Sequence, residues 1–207
     1  MALVGNPNTG KSTLFSALSG VQQQVGNYSG VTVEKKFGRV SHAGRDWELI
    51  DLPGTYSLLP RSPDEAVAVD LLLGRMPGIQ EPDVLVAVVS AVSLERNLYL
   101  LSQIFELGRP TVIALTMLDV AASRGQSIDV GVLSARLGVP VVAVQAHRDL
   151  GLDALKAAVE EAARSPVSLP PSPLPEPFHE EVSRIGVFLS SLPGDSTEPW
   201  PRSGRGG

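Results

Sequence analysis

The sequence contains no cysteine, and this absence excludes two kinds of structure. Neither a disulfide framework nor a metal site built on thiolates can form without cysteine side chains. Basic residues are also few, because 17 Lys and Arg stand against 22 Asp and Glu, a net charge of −5. Binding to bulk DNA or RNA requires clustered cations, so nucleic acid is not an expected partner. An acidic chain without cysteine or an evident signal peptide is typical of the cytoplasm.

Long apolar runs are missing as well. The most apolar stretch, residues 84–94, contains Ser90 and Ser93, and a membrane-spanning helix needs about 20 predominantly apolar residues. The sequence therefore predicts no membrane span. The valines of this stretch, which follow Pro82 and Asp83, instead favour a strand buried on both faces of a parallel sheet.

What the sequence does contain is a regular alternation of apolar runs and helical patterns. Such alternation predicts an α/β fold with a mostly parallel central sheet flanked by helices. The apolar runs are residues 2–4, 49–52, 84–89, 111–117 and 141–144, and the helical patterns begin at Lys11, Pro63, Leu94, near Val130 and at Leu152. Residues 31–41 and 46–50 flank a turn at 42–45, which predicts one antiparallel hairpin at a sheet edge.

The composition changes after residue 165, where we expect the first domain to end. Residues 166–177 carry six prolines and predict an extended linker. Residues 178–192 place apolar side chains at helical spacing, which predicts a short amphipathic helix. Residues 193–207 are rich in Gly, Pro and Ser and predict a disordered tail. An apolar helix behind a proline-rich linker also offers a route to self-association.

Residues 5–12, Gly-Asn-Pro-Asn-Thr-Gly-Lys-Ser, match the pattern G-x-x-x-x-G-K-[ST] of a phosphate-binding loop. The match follows a predicted strand and opens a predicted helix, which favours a P-loop NTPase over a purely structural turn. Backbone N–H groups and the helix N-terminus would hold the phosphates. Lys11 is expected to reach the β- and γ-phosphates, and the Ser12 hydroxyl to bind Mg²⁺.

Two further segments predict the rest of the phosphate site. Asp51 ends an apolar strand and is expected to hold Mg²⁺, while the N–H of Gly54 is expected to reach the γ-phosphate. Thr32 lies between the first helix and the second strand, where a switch loop would bring its hydroxyl to Mg²⁺. Taken alone, Thr32 is as well explained as an ordinary strand residue.

Base recognition is predicted at residues 116–119, Thr-Met-Leu-Asp, after the apolar strand at 111–115. The Asp119 carboxylate can accept hydrogen bonds from guanine N1–H and the exocyclic amine, donors that adenine does not present in that pattern. Residues 144–148 follow the last strand and would bring a backbone N–H to the guanine O6.

Residues 5–15, 25–35, 51–58 and 94–100 together resemble the G domain of the FeoB ferrous iron transporter family. The resemblance covers about the first 165 residues. It implies a Ras-like GTPase fold that binds GTP and GDP and is joined to a C-terminal polytopic membrane domain that moves Fe²⁺. It also implies a position at the cytoplasmic face of a bacterial inner membrane. Family members follow the G domain with several helices, and most of that helical domain is predicted to be missing here.

Three positions carry specific implications from this family. Asn8 resembles the phosphate-loop asparagine that holds K⁺ in potassium-activated GTPases. Thr55 stands where Ras-type enzymes carry the glutamine that positions water, which implies slow hydrolysis. Thr116 stands where the family has the asparagine of N-x-x-D, whose amide braces the loop and contacts the base. A nucleotide-sensing module with negligible turnover, and an NTPase of relaxed base specificity, therefore remain alternatives to a GTPase.

The complete set of expected functional residues combines these motifs. Lys11, Thr32, Gly54 and Asn8 are the predicted catalytic residues. Ser12, Thr32 and Asp51 are the predicted Mg²⁺ residues, and Asn8 is the predicted K⁺ residue. The predicted nucleotide-binding residues are Gly5, Asn6, Pro7, Asn8, Thr9, Gly10, Lys11, Ser12, Thr13, Gly30, Val31, Thr32, Asp51, Pro53, Gly54, Thr116, Met117, Asp119, Ala146 and His147. The scattered carboxylates Glu34, Asp64 and Glu65 are interpreted as solvated surface, and no iron site is expected.

Overall fold

A seven-stranded sheet with the order β2-β3-β4-β1-β5-β6-β7 forms the centre of the fold. The computed structural model describes residues 1–20, 23–28, 33–76 and 79–165, together with residues 180, 181, 184, 185, 187 and 188. The strands are β1 (Ala2–Val4), β2 (Gln23–Asn27), β3 (Glu34–His42), β4 (Arg45–Asp51), β5 (Leu85–Ser90), β6 (Thr111–Thr116) and β7 (Val141–Ala143). The helices are α1 (Lys11–Ser19), α2 (Pro63–Leu72), α3 (Leu94–Glu106), α4 (Leu118–Ser123), α5 (Val130–Leu137) and α6 (Leu152–Arg164).

The sheet is mixed, as the sequence predicted. Strand β1 pairs in parallel with β4 and β5, and the parallel pairing continues from β5 to β6 and from β6 to β7. Strands β2, β3 and β4 are antiparallel neighbours at one edge. The hairpin turn between β3 and β4 is tighter than predicted, because only Ala43 and Gly44 lie between the strands, both with positive φ (49° and 77°). Positive φ at both central residues gives a turn whose twist matches that of a hairpin.

The central strands are buried on both faces because helices cover both sides of the sheet. Side chains alternate along β5: Leu85, Ala87 and Val89 pack with α2 and α3, whereas Val86 and Val88 pack with α1 and α6. This alternation explains why β5 has no polar side chain before Ser90. It also leaves the carboxyl ends of the parallel strands free to carry loops, where ligands bind in open α/β sheets.

Two elements were not predicted from the sequence, strand β2 and helix α4. The chain divides into two units, Met1–Pro170 and Pro171–Gly207. In the second unit the described residues, Glu180, Glu181, Arg184, Ile185, Val187 and Phe188, are helical. The predicted linker at 166–177 and the predicted tail at 193–207 lie outside the described residues. Within the part of the chain that the structure describes, no helix is both long and apolar enough to cross a bilayer.

Candidate nucleotide-binding site

The predicted phosphate-binding loop connects β1 to α1, and two glycines allow its path. A Cβ atom on Gly5 would lie 2.5 Å from the carbonyl oxygen of Val88, so only glycine fits this close approach to β5. Gly10 has φ of 85° and precedes the first residue of α1, Lys11. Asn8 is exposed and also adopts positive φ, 63°. The loop therefore turns tightly around the N-terminus of α1, where backbone N–H groups are free of intrahelical partners.

Hydrogen bonds fix the inner side of this loop. The Thr9 hydroxyl donates to the Asn6 carbonyl (2.9 Å) and closes the loop on itself. The Thr116 hydroxyl, at the end of β6, donates to the Thr9 carbonyl (2.7 Å). The Asn6 amide nitrogen lies 3.5 Å from the carbonyl oxygen of Arg96 on α3, while its buried Oδ1 has no partner among the described residues. The sequence indicated the loop but not these partners, which come from distant parts of the chain.

Lys11 and Asp51 form an ion pair beneath the loop. The Lys11 Nζ lies 2.6 Å from Asp51 Oδ1, and the two side chains are only 10% and 6% exposed. A buried charge needs a compensating partner, so each group makes the burial of the other tolerable. The first helix and the end of β4 thus bring together the two charged residues predicted for phosphate and Mg²⁺.

An open pocket of about 340 Å³ is lined by five of the predicted nucleotide-binding residues, and by none of those predicted for the base. Its lining includes Lys11, Ser12, Asp51, Pro53 and Gly54. The lining also includes residues that were not predicted for the site: Val33, Glu34, Lys36, Leu52 and Asp64. Glu34 and Asp64 are exposed, as surface carboxylates should be, but their position at the pocket was missed because they belong to other elements. The hydroxyl and carboxylate oxygens present here are the ligand types that Mg²⁺ prefers.

A larger pocket, about 840 Å³, lies along strands β2 to β4 and does not contain these residues. Side chains of both charge signs line it, including Lys35, Arg39, Asp46 and Glu48. It lacks the glycine loop and the helix N-terminus that bind phosphate. We therefore place the candidate site at the smaller pocket.

The segment after β4 packs directly on the phosphate-binding loop. A Cβ atom on Gly54 would lie 3.1 Å from Pro7, so Gly54 and the loop are in close contact. The Thr55 N–H donates to the Gly5 carbonyl (3.2 Å). The Thr55 side chain is fully buried, and its hydroxyl donates to the Ser57 carbonyl (2.7 Å). This hydroxyl is therefore engaged in a local turn, away from solvent.

Helix α3 holds the continuation of this segment. Gln103 Oε1 accepts a hydrogen bond from the Leu58 N–H (2.8 Å). The Arg96 guanidinium lies 4.5 Å from the ring centroid of Tyr56, within the range of a cation–π contact. Sequence analysis did not indicate these contacts, because nothing local links residues 55–58 to a helix about 40 positions later.

The predicted base-recognition residues lie beyond the end of β6. Thr116 is buried, whereas Asp119 is exposed in the first turn of α4. Met117 has φ of 57°, and its Sδ accepts a hydrogen bond from the Ser90 hydroxyl (3.3 Å). Residues Ala146–Arg148 form a single 3₁₀ turn after β7. In it, Ala146 is half-buried and His147 is exposed.

Tyr28 closes the described part of the predicted switch loop. Its ring is 1% exposed, and its hydroxyl has no hydrogen-bond partner among the described residues. Burial, and secondarily the negative charge of Asp51, raise the pKa of Tyr28 to about 12. Lys35 lies over the ring, 5.7 Å from its centroid. Gly30, Val31 and Thr32, predicted for Mg²⁺ and γ-phosphate, lie outside the described residues.

Comparison with known proteins agrees with the motif pattern. The FeoB_N family, described as "Ferrous iron transport protein B", matches residues 1–159. The Fe(2+) transporter FeoB of Escherichia coli K12 is 46% identical over 164 residues, which are 77% of this chain and 21% of that protein. The chain thus spans about a fifth of the length of the curated relatives it matches.

Solved structures show the same fold. The cytosolic domain of L. pneumophila FeoB is 40% identical with a TM-score of 0.82, covering 92% of this chain and 79% of that one. A mutant of S. thermophilus NFeoB bound to GDP is 43% identical with a TM-score of 0.80, covering 92% of this chain and 72% of that one. The fold is that of a FeoB G domain, a P-loop NTPase fold of the Ras-like type. The family match over most of its length shows that this chain belongs to the FeoB ferrous iron transport family, of which it carries the N-terminal G domain.

Proposed function

We propose that this chain is a GTP-binding switch domain that hydrolyses GTP slowly and regulates Fe²⁺ uptake through an attached membrane domain. The meeting of Lys11, Ser12, Asp51 and Gly54 in one pocket, beneath a glycine-bounded loop, is the observation that carries the proposal. This group supplies a cation, two oxygen ligands and a backbone donor, which phosphoryl-transfer sites require. The GDP bound in a similar domain supports guanine nucleotide as the ligand.

Each residue has a role under this proposal. Lys11 would bind the β- and γ-phosphates, and the backbone N–H groups of Asn6 and of residues 8–13 would surround them. Ser12, Asp51 and the switch residue Thr32 hold Mg²⁺, which neutralises charge on the phosphate oxygens when bound. Gly54 donates to the γ-phosphate, together with the backbone of Gly30 and Val31. On the base side, Asp119 would bind guanine, Thr116 and Met117 connect Asp119 to the end of β6, and the turn at Ala146 and His147 would bring a backbone N–H to the guanine O6.

The engaged side chain of Thr55 supports slow turnover. Its hydroxyl already donates to the Ser57 carbonyl and is buried, so it cannot also orient an attacking water. Catalysis would then come from positioning and from charge. Asn8 is exposed at the turn of the phosphate-binding loop, where it can hold K⁺ beside the phosphates. Such an ion would stabilise the charge that develops during hydrolysis.

The wider setting follows from the family. We propose that the chain acts at the cytoplasmic face of a bacterial inner membrane and that its C-terminal partner is a polytopic membrane domain. The helical residues around Ile185 are a candidate contact for self-association, because Ile185 and Val187 are 50% and 72% exposed. Fe²⁺ is then the cargo of the membrane domain, not a ligand of this pocket.

Phosphate release under multiple turnover separates the proposal from its alternatives. GTP and ATP would be supplied with Mg²⁺ in KCl or NaCl, using the wild type and Asn8→Ala. Gln80→Ala is the matched control, because Gln80 is an exposed amide in the loop before β5. We expect phosphate to be released faster from GTP than from ATP. K⁺ should stimulate release from GTP roughly tenfold or more, and Asn8→Ala should abolish this stimulation.

Each other result selects a different function. Tight GTP binding without phosphate release would indicate a nucleotide-sensing module. Equal turnover of GTP and ATP would indicate an NTPase of relaxed base specificity. Equal rates in KCl and NaCl would remove the role proposed for Asn8.

A further inference from the structure

The buried hydroxyl of Thr116 joins the end of β6 to the phosphate-binding loop, across a separation of 107 residues. It lies 2.7 Å from the carbonyl oxygen of Thr9 in the phosphate-binding loop and 3.2 Å from the carbonyl oxygen of Val89 on β5. A threonine hydroxyl has one proton to donate, so the shorter contact is the dominant hydrogen bond. That contact is the one on the phosphate-binding loop.

Packing around Gly10 reinforces the same connection. A Cβ atom on Gly10 would lie 4.0 Å from Cβ and Cγ2 of Thr116 and 4.0 Å from Cε of Met117. The C-terminal end of the phosphate-binding loop therefore lies beside the end of β6, at about the distance that one methyl group would fill. The Thr9 side chain in turn donates to the Asn6 carbonyl (2.9 Å), so the restraint reaches the start of the loop. Thr116, Thr9 and Asn6 form a continuous chain of side-chain-to-backbone hydrogen bonds.

This arrangement changes the expected consequence of having threonine at position 116. The family resemblance implies an asparagine there, which both braces the loop and contacts the base. The hydroxyl is the only polar group of the Thr116 side chain, and the residue is 6% exposed. Its single proton is donated to the phosphate-binding loop. Bracing is thus retained by a side chain that has no donor left for the base.

We propose that Thr116 is a positioning residue that braces the phosphate-binding loop and takes no part in base selection. Nucleotide affinity then depends on Thr116 through the phosphates, while selectivity for guanine rests on Asp119. This inference rests on the proposed nucleotide-binding function. It predicts that loss of the Thr116 hydroxyl lowers the affinity for every nucleoside diphosphate by the same factor.

The test compares GDP and ADP, which share their phosphates and differ in the base. Their affinities would be measured by calorimetry with Mg²⁺ for the wild type, Thr116→Val and Thr116→Ser. Thr111→Val is the matched control, because Thr111 is also buried on β6 and its hydroxyl also donates to a carbonyl, that of Arg109 (2.9 Å). It lies at the opposite end of the strand from the pocket.

We expect Thr116→Val to weaken GDP and ADP alike by about 3- to 10-fold, the loss of one hydrogen bond, with the ratio of the two affinities unchanged. Thr116→Ser should restore both affinities, and Thr111→Val should change neither. A change of about fivefold or more in the ratio of GDP affinity to ADP affinity in Thr116→Val would overturn the proposal, because it would show that Thr116 helps to distinguish the bases. Affinities equal to those of Thr111→Val would overturn it too.

A second readout keeps the inference separate from the proposed function. If the wild type binds neither nucleotide, the proposed function fails, and hydrogen exchange of the nucleotide-free chain decides the role of Thr116. Faster amide exchange at residues 8–12 in Thr116→Val than in Thr111→Val would show that the hydroxyl restrains the loop. Equal exchange in the two variants would show that it does not.

Discussion

The residues proposed for the phosphates and the residues proposed for the base differ in how firmly the protein holds them. On the phosphate side, Lys11 and Asp51 are buried and paired, and the loop is fixed by hydrogen bonds and close contacts. On the base side, Asp119 and His147 are exposed on short elements that begin after the strands end. Under the proposed function, the pre-formed phosphate site would supply affinity, whereas selectivity would depend on the exposed carboxylate of Asp119.

The largest effect is expected from Lys11→Ala, which breaks the more rigid side. It removes the cation proposed for the phosphates and leaves the Asp51 carboxylate buried without its partner, at a cost of about 3–5 kcal/mol in unfolding free energy. We expect GDP binding to fall by more than about a hundredfold, the loss of at least 2.8 kcal/mol that this factor represents.

Calorimetry with GDP and urea unfolding of the free protein measure the two effects of Lys11→Ala. Lys156→Ala is the control, because Lys156 pairs with Asp153, whose side chain is 89% exposed. Such a surface pair contributes about 1 kcal/mol or less. Stability of Lys11→Ala equal to that of Lys156→Ala would contradict the structural role of the buried pair.

A somewhat smaller effect is expected from Gly5→Ala. The added Cβ atom would lie 2.5 Å from the Val88 carbonyl oxygen, so the loop must move away from β5. Overpacking of this kind lowers the free energy of unfolding by about 1–3 kcal/mol. The affinities for GDP and ADP should fall together, because the phosphate site is displaced. Gly26→Ala is the control, since a Cβ atom there has no neighbour within 4 Å. Full GDP affinity in Gly5→Ala would refute the close approach.

Asp119→Ala tests the base side and should act on selectivity alone. Hydrogen bonds to a charged group contribute about 1.5–3 kcal/mol, so GDP should weaken by roughly 10- to 100-fold. ADP affinity should stay near its wild-type value, so the affinities for the two nucleotides should become similar. The control is Asp153→Ala, because Asp153 is likewise an exposed carboxylate in the first turn of a helix. An equal loss for GDP and ADP would mean that Asp119 supports the fold rather than the base.

The smallest effect is expected from Tyr28→Phe. The Tyr28 hydroxyl is buried without a partner among the described residues, so its removal should leave the protein equally stable or more stable by about 1 kcal/mol at pH 8. Folding raises the pKa of Tyr28 from 10 to about 12, so the folded state disfavours the ionised phenolate. Stability is unaffected by this shift below pH 10 and falls as pH rises toward 12. The wild type should therefore lose more stability than Tyr28→Phe across this window.

Urea unfolding at pH 8, 10 and 11 measures the effect of Tyr28→Phe. Tyr99→Phe is the control, because Tyr99 is 58% exposed. A loss of more than about 1 kcal/mol in Tyr28→Phe at pH 8 would show that the hydroxyl makes a stabilising hydrogen bond.

The parallel core of the fold was predictable because its signals are local. Strands β5 and β6 are apolar except at their ends, where Ser90, Thr111 and Thr116 lie. Helix α6 spans Leu152–Arg164, the segment in which the helical pattern is strongest. Strand β2 was not predicted, because Gln23–Asn27 has no apolar alternation and pairs only at the sheet edge. Helix α4 was missed because six residues are too few for a periodic pattern.

The pocket was predictable in its residue types but not in its connections. The loop motif indicated Lys11 and Ser12, yet nothing in it shows that Thr116 holds the loop or that Glu34 and Asp64 line the pocket. These contacts join residues that are far apart in sequence, and only the sheet order brings them together. The roles assigned to individual residues remain predictions that the variants above would test.

Competition for the wild-type chain tests the central claim most directly. Fluorescent GDP would be bound in the presence of Mg²⁺ and displaced with unlabelled GTP or ATP. The proposed division of labour predicts that GTP displaces the probe at a concentration about 10- to 100-fold below that of ATP, because Asp119 alone would supply the selectivity. Equal displacement by GTP and ATP would contradict a guanine-specific switch and leave a P-loop protein that binds phosphates without reading the base.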